Sequence, residues 1–152
     1  MRSQVWLAII VLLPVVATPA RAYSPDEKTP DQQSIAALEA KIGQAPQKDQ
    51  CFLYAELIHE MTEFSLRQYS AGNVDKANDM LKQIQQFAHK VHLSVSDDNK
   101  RLKNAEILLR HTAFRLTEML HSTSYEDRPL VEQTLAQVNQ AEQDAMLQVF
   151  KK

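Results

Sequence analysis

The sequence predicts an all-α protein: an up-down bundle of four long helices, arranged as two antiparallel hairpins, with a short N-terminal helix packed against it. Apolar residues recur every three to four positions through most of the chain, which is the helical period. No stretch alternates apolar and polar residues as a half-buried strand does. Beyond residue 30, glycine and proline interrupt this pattern only at Gly43, Pro46, Gly72 and Pro129.

The first 22 residues have the pattern of a signal peptide. Arg2 precedes an apolar run of about a dozen residues, and Ala20-Arg21-Ala22 matches a small-x-small cleavage site. The run is too short to span a bilayer, which takes roughly 20 apolar residues. We therefore expect cleavage after Ala22 and export to the periplasm or the medium, with no membrane association after cleavage.

Charge and cysteine content narrow the function classes. Removal of Arg2 and Arg21 leaves 15 Lys and Arg against 19 Asp and Glu, a formal net charge of −4. A mildly acidic chain argues against nucleic-acid binding, which normally needs a basic surface. Cys51 is the only cysteine, so an internal disulfide cannot stabilise the fold. The mature chain of about 130 residues is the size of one domain with its own core.

The elements follow in order. Residues 23–30 contain two prolines and no periodicity, so we expect a disordered leader. Residues 31–152 then form the single helical domain, beginning with a short helix over about 31–44. Long helices are predicted over about 48–70, from Asn73 to about residue 95, from near Ser96, and over about 128–150. Asn73 and Asp127 are suitable N-cap residues, and Pro129 is tolerated in a first turn.

Each predicted helix has one apolar side that would face the core. In the fourth helix that side is formed by Leu102, Ala105, Leu109, Thr112, Leu116 and Met119. Residues 55–66 also match residues 105–116 at Ala, Glu, Thr, Phe and Leu, and residues 80–86 resemble 134–140. Two interpretations remain open: the hairpins are copies of one unit, or two amphipathic helices agree by chance.

Two Glu-x-x-His pairs, Glu56 with His59 and Glu118 with His121, have the spacing used by di-metal four-helix bundles. At 100° per residue, Glu56 falls in a polar arc that also contains Glu63 and Arg67, which are spaced as an ion pair. Glu118 and His121 project from the polar side of their helix. The two pairs would also lie roughly 18 Å apart along the bundle. The sequence therefore predicts no metal site from them.

Other candidate ligands and nucleophiles are weaker. His89 and His92 could share an exposed metal, but a histidine near a helix C-terminus is also favoured by the helix dipole. His111 is expected at the surface. Covalent haem is excluded because no Cys-x-x-Cys-His motif occurs, and the methionines are expected to fill the core. No serine or cysteine has the surroundings of a catalytic nucleophile. We expect no enzyme activity and no cofactor.

The second helix is apolar over more of its circumference than a bundle helix needs. This excess must be covered by the first helix, by a second copy of the chain, or by a partner. The leading hypothesis is an exported, non-enzymatic module that acts through protein–protein contacts or self-association. The alternative is a periplasmic metal- or haem-binding bundle with His and Met ligands. The predicted interaction surface consists of Phe52, Leu53, Leu57, Phe64 and Tyr69.

Two further expectations concern charge and the single thiol. Residues 100–110 are locally basic, but Glu106 and the preceding aspartates dilute that charge, so we expect a solvated face. Cys51 lies in the first turn of the second helix, where the dipole could activate it. It also shares a helical line with Ala55 and Ile58 that should face the interior. We expect burial to dominate, and Cys51 to stay reduced.

Overall fold

A computed structural model describes residues 29–94 and 99–151 of the chain. These residues form five helices and no strand, so the all-helical prediction is confirmed. No helix within them is long and apolar enough to cross a membrane. The predicted signal peptide and residues 23–28 of the predicted leader lie outside the described residues. The helices are α1 (Gln32–Gln44), α2 (Gln47–Ser70), α3 (Val74–Leu93), α4 (Asn99–Ser122) and α5 (Arg128–Phe150).

Helix α1 begins with a capping box. The Asp31 carboxylate accepts a hydrogen bond from the Ser34 backbone N–H at 2.7 Å, and the Asp31 N–H donates to Ser34 Oγ at 3.0 Å. Two backbone donors that the helix leaves unpaired are thereby satisfied. The apolar side of α1, formed by Ile35, Leu38 and Ile42, is buried, and α1 packs against α2.

The α2–α3 turn depends on Gly72. Its φ of 83° lies in the left-handed region, which a residue with a side chain rarely adopts. The turn is closed by backbone hydrogen bonds from Gly72 to Tyr69 and from Asn73 to Gln68. Asn73 is the N-cap residue of α3, as predicted, but its side chain makes no capping hydrogen bond, and its Nδ2 donates to Gln68 Oε1 at 3.0 Å.

The helices pair as α2 with α3, α4 with α5, α2 with α4, and α3 with α5. Consecutive helices were expected to be neighbours, but the described parts of α3 and α4 make no contact. Helices α2 and α4 run parallel, since Asp49 pairs with Arg101 near their starts and Tyr69 Oη accepts from the Ser124 N–H at their ends. The pairs α2–α3 and α4–α5 therefore pack against each other through α2 with α4 and α3 with α5.

The α4–α5 turn is fixed by Asp127, although not as the predicted cap. Asp127 has helical backbone angles and makes no side-chain cap bond. Its carboxylate accepts from Asn78 Nδ2 at 2.8 Å and from Ser124 Oγ at 2.7 Å. These bonds tie the turn to α3, and they lower the pKa of Asp127. A local capping residue therefore serves as a link between the hairpins.

The core follows the predicted apolar sides of the helices. All six residues predicted to face inward from α4 are buried, including Thr112, whose hydroxyl donates to the Leu108 carbonyl. Thr62, its match in α2, is also buried and donates to Ile58 in the same way. The largest fully buried side chains are Leu57, Ile58, Met61, Leu81, Ile84, Leu102, Leu109, Leu116, Met119, Val91, Val131 and Val138.

The matched segments of α2 and α4 share an inward face but not their neighbours. Ser65 Oγ donates to the Ala77 carbonyl of α3, whereas its match, Arg115, reaches across to α2. The sequence match therefore describes two similar helices more closely than two equivalent hairpins.

Candidate functional site between and beside α2 and α4

A polar groove of about 640 Å³ runs between α2 and α4. Most of the residues that line it are three or four positions apart on α2 and on α4, because successive turns of each helix face the groove. We call it the α2–α4 groove. Its lining residues are Thr29, Pro30, His59, Glu60, Glu63, Arg67, His111, Phe114, Arg115 and Glu118.

An ion pair crosses the groove between Glu63 and Arg115. Arg115 Nε donates to one carboxylate oxygen at 2.6 Å, and Nη2 donates to the other at 3.0 Å. Arg115 Nη1 also donates to Glu118. These hydrogen bonds lower the pKa of Glu63 and raise the pKa of Arg115. Glu63 was predicted to pair with Arg67, but the Arg67 guanidinium instead lies 5.8 Å from the centre of the Phe64 ring.

His59 is half-buried, and its orientation is fixed by Thr112. His59 Nδ1 lies 3.0 Å from Thr112 Oγ1, whose own hydrogen is donated to the Leu108 carbonyl. The Thr112 hydroxyl thus lies within hydrogen-bonding distance of both the Leu108 carbonyl and the His59 ring. Burial lowers the pKa of His59, and nearby Glu63 opposes that shift.

His111 is exposed, as expected, but it is not isolated. Its ring centre lies 5.1 Å from that of His59, with the two planes inclined by 34°. The sequence offers no signal for this pair, since the two histidines lie on separate helices and meet only because α2 and α4 pack in parallel. Two imidazoles therefore stand together in the wall of the groove.

The two predicted Glu-x-x-His pairs are not brought together. Glu56 is half-buried and lines a second cleft with Asp49 and Arg101. Glu118 lies in the α2–α4 groove bound to Arg115, and His121 is exposed. Among the described residues, no group of three or more His, Cys, Asp or Glu could hold a metal ion.

The remaining candidate ligands lie apart from the groove. His89 is exposed at the end of α3, and the side chain of His92 lies outside the described part of the chain. Met61, Met80 and Met119 are buried in the core, as their core-filling role requires.

Cys51 is buried, as predicted. Burial raises the pKa of its thiol to about 11, because the thiolate is poorly solvated there. The helix dipole therefore does not activate this thiol. Whether it stays reduced remains a prediction.

The predicted interaction surface on α2 is largely covered by the chain itself. Leu53, Leu57 and Phe64 are buried, while Phe52 and Tyr69 are half-buried and pack against the core. Helices α1, α3 and α4 all pack against α2, so the apolar excess is accommodated within the fold. A partner role for these residues stays a prediction. Of the five, only Phe52 and Tyr69 are partly exposed and so accessible to a partner protein in this fold.

The apolar surface that sequence reasoning missed lies on α4. Ile107 and Phe114 are 50% and 60% exposed, two turns apart on one side of the helix. Lys103 and Arg110 share this side. We call these four residues the α4 outer face. Ile107 and Phe114 fall outside the apolar side predicted for α4. The sequence match between α2 and α4 could have drawn attention to them, because it aligns both with apolar residues of α2.

Glu106 was expected to dilute the positive charge of residues 100–110 at the surface, but its side chain is not exposed there. Glu106 is buried and accepts a hydrogen bond from Arg110, which also lies 3.6 Å from Glu142 of α5. Lys100 and Lys103 are exposed. The outward side of α4 is therefore both apolar and basic.

The α4 outer face corresponds to a covered face on α2. Ile107 aligns with Leu57, and Phe114 aligns with Phe64, both of which are buried. Between them on α2 lies Glu60, whose carboxylate accepts a hydrogen bond from Ser34 of α1 at 3.2 Å. On α2 this face is thus covered by α1 around Glu60, and by α3 at Phe64, where Lys76 Nζ lies 5.1 Å from the ring centre.

No known protein family, no curated protein and no solved structure matches this chain.

Proposed function

We propose that this protein is an exported, non-enzymatic helical module that acts by binding another protein through the α4 outer face. The observation that carries the proposal is the exposure of Ile107 and Phe114 at positions whose α2 counterparts are buried. The proposal includes the up-down arrangement of two antiparallel hairpins, with α1 as a cover for α2.

The energetics favour a partner at this face. Burying a fully exposed Ile or Phe side chain contributes roughly 1.5–3 kcal/mol, so Ile107 and Phe114, which are 50% and 60% exposed, can each contribute about half of that on binding. A few apolar anchors within a polar rim are typical of protein interfaces. Lys100 and Lys103 are exposed beside them and select a partner of complementary sign, whereas Arg110 is already paired with Glu106 and Glu142.

The first experiment is capture of the partner from the exported fraction of the native host. We expect wild-type protein to retain a specific protein that the double variant Ile107→Ser, Phe114→Ser does not retain. Leu147→Ser is the matched control, since Leu147 is similarly exposed but lies on α5. The captured protein is then purified and its affinity for each variant measured. The protein recovered from the host should begin at Tyr23.

Equal binding to wild-type protein and to the double variant, with all variants folded by circular dichroism, would remove the α4 outer face from the proposal. An intact Met1 in the mass spectrum of exported protein would remove the export.

A second candidate function, metal binding, is supported by the His59–His111 pair. His59 Nδ1 lies 3.0 Å from Thr112 Oγ1, and a hydrogen bond from one ring nitrogen to an oxygen is usual for histidines that bind a metal through the other nitrogen. Calorimetric titration of untagged protein with Zn²⁺ tests it. The candidate predicts one Zn²⁺ site that His111→Asn abolishes and that His121→Asn leaves intact. Zn²⁺ binding that survives His111→Asn would refute it.

A further inference from the structure

We propose that the partner segment on the α4 outer face is an acidic amphipathic helix, which packs on α4 as α1 packs on α2. This inference rests on the proposed function and names the chemistry of its partner. It depends on how α1 covers α2, on what the matched face of α4 offers, and on the charges beside it.

Helix α1 provides the internal precedent. It buries Ile35, Leu38 and Ile42, spaced by three and four residues, and packs against α2. Ser34 at its start bonds Glu60, while its C-terminal end lines a cleft with Leu53. Because Leu53 precedes Glu60 in α2, α1 runs antiparallel to α2. A two-faced helix of 13 residues thus covers the stretch of α2 between Leu53 and Glu60.

Helix α4 offers the matched side without such a cover. Leu53, Leu57, Glu60 and Phe64 on α2 align with Lys103, Ile107, Arg110 and Phe114 on α4. Within the described part of the chain, α1 makes no contact with α4. The two apolar positions keep their character and spacing, about 10 Å along the helix axis at 1.5 Å per residue. A helix with an apolar stripe of the α1 type therefore fits this side of α4, provided that it extends about one turn further than α1 does on α2, so that it reaches Phe114 as well as Ile107.

The exposed lysines beside this face set the charge of the occupant. Leu53 on α2 is replaced by Lys103 on α4, whereas Arg110, which replaces Glu60, is already paired with Glu106 and lies 3.6 Å from Glu142. Lys100 is exposed one turn before Lys103, which extends the positive charge along the same side. Helix-in-groove recognition places apolar anchors at spacings of three, four and seven, with charged flanks that select the partner. Acidic flanks complement this face and basic flanks are repelled by it.

The experiment uses two synthetic peptides and the full chain. Both peptides keep the α1 apolar spacing; one carries glutamates at its flanking positions and the other carries lysines. Fluorescence anisotropy at low salt should show binding of the acidic peptide alone. Ile107→Ser and Phe114→Ser should each weaken it at least tenfold, while Leu147→Ser should not. Lys103→Glu should weaken the acidic peptide and allow the lysine peptide to bind.

Three outcomes would overturn the inference. The first is equal affinity of the two peptides, and the second is binding unaffected by Phe114→Ser. The third is a concentration-dependent dimer of the protein alone that Phe114→Ser dissociates, which would make a second copy the occupant. Lys103 and Phe114 are exposed, so these single variants test the face without disturbing the core.

Failure of this inference can be separated from failure of the proposed function. If the captured native partner needs Ile107 and Phe114 but is not displaced by the acidic peptide, the surface stands and the acidic helix is wrong. If neither partner nor peptide depends on these residues, both proposals fail.

Discussion

Arg115 of α4 donates to both carboxylate oxygens of Glu63 of α2, at 2.6 and 3.0 Å. A two-pronged pair of this kind fixes direction as well as distance, since the guanidinium and the carboxylate must lie nearly in one plane. The Asp49–Arg101 pair acts between the same two helices about four turns earlier. Together the two pairs support the parallel register of α2 and α4 that forms the groove.

We expect Glu63→Gln to destabilise the protein in a pH-dependent manner. The hydrogen bond from Arg115 lowers the pKa of Glu63 below its unfolded value of about 4.3. Its contribution is therefore complete above that value and is lost as the pH falls through the lower, folded pKa. Because both side chains are partly exposed, the effect at pH 7 should be about 1 kcal/mol. Urea unfolding at pH 7 and pH 3 measures it.

The control for this prediction is Glu56→Gln on the same helix. Its effect should stay small at both pH values. A destabilisation by Glu63→Gln that is equally large at pH 3 and pH 7 would show that the ion pair is not its cause.

Core and surface positions should respond differently to truncation. Leu81 and Leu116 are fully buried, so changing either to Ala should cost roughly 2–5 kcal/mol. Replacing Glu56 and Glu118 together by Gln should change the free energy of unfolding by no more than about 1 kcal/mol, as changes near the surface usually do. Comparable losses in both sets of thermal melts would mean that the helix faces are assigned wrongly.

The single thiol should be unreactive in the folded protein. Cys51 is buried and its pKa is raised to about 11, so little thiolate exists at neutral pH and reagents cannot reach it. A maleimide should label it only after denaturation, and a nonreducing gel should show monomer. Asn104→Cys, at an exposed position of α4, is the control that should be labelled at once. Rapid native labelling of Cys51 would make it an accessible residue.

The two described glycines should respond to alanine with opposite sign. Gly72 has a φ of 83°, so Gly72→Ala should destabilise by about 1–2 kcal/mol. Gly43 lies within α1 with open space around it, so Gly43→Ala should stabilise by about 0.5–1 kcal/mol. Thermal unfolding of both variants measures the difference. A Gly72→Ala protein as stable as wild type would indicate that the turn does not need this backbone angle.

The sequence predicted the helices and the burial of most individual residues. Periodicity is local, so it indicates which side of each helix is apolar without knowledge of the neighbours. This is why the inward side of α4 and the burial of Cys51 were predicted correctly. The capping roles of Asn73 and Asp127 were predicted less well. Their side chains bond Gln68 and Asn78 respectively, and neither makes a capping hydrogen bond.

Tertiary packing decided everything that depends on which helices are neighbours. Glu63 had a partner at ideal local spacing in Arg67, yet Arg115 took its place from another helix. His59 and His111 became a pair only because α2 and α4 lie in parallel. Local spacing cannot predict such contacts, since the same amphipathic helices can pack in several arrangements of similar apolar burial.

Phe64 and Phe114 show the division between sequence and structure most directly. The sequence determined that both residues lie on amphipathic helices, at matched positions two residues after a threonine and two before a leucine. Only the tertiary structure decided that one is 5% exposed and the other 60% exposed. The physical reason is that burial belongs to the pair of surfaces in contact: Phe64 is covered from α3, where Lys76 Nζ lies 5.1 Å from its ring centre, whereas the described helices that contact α4 are α2 and α5, and they leave Phe114 exposed.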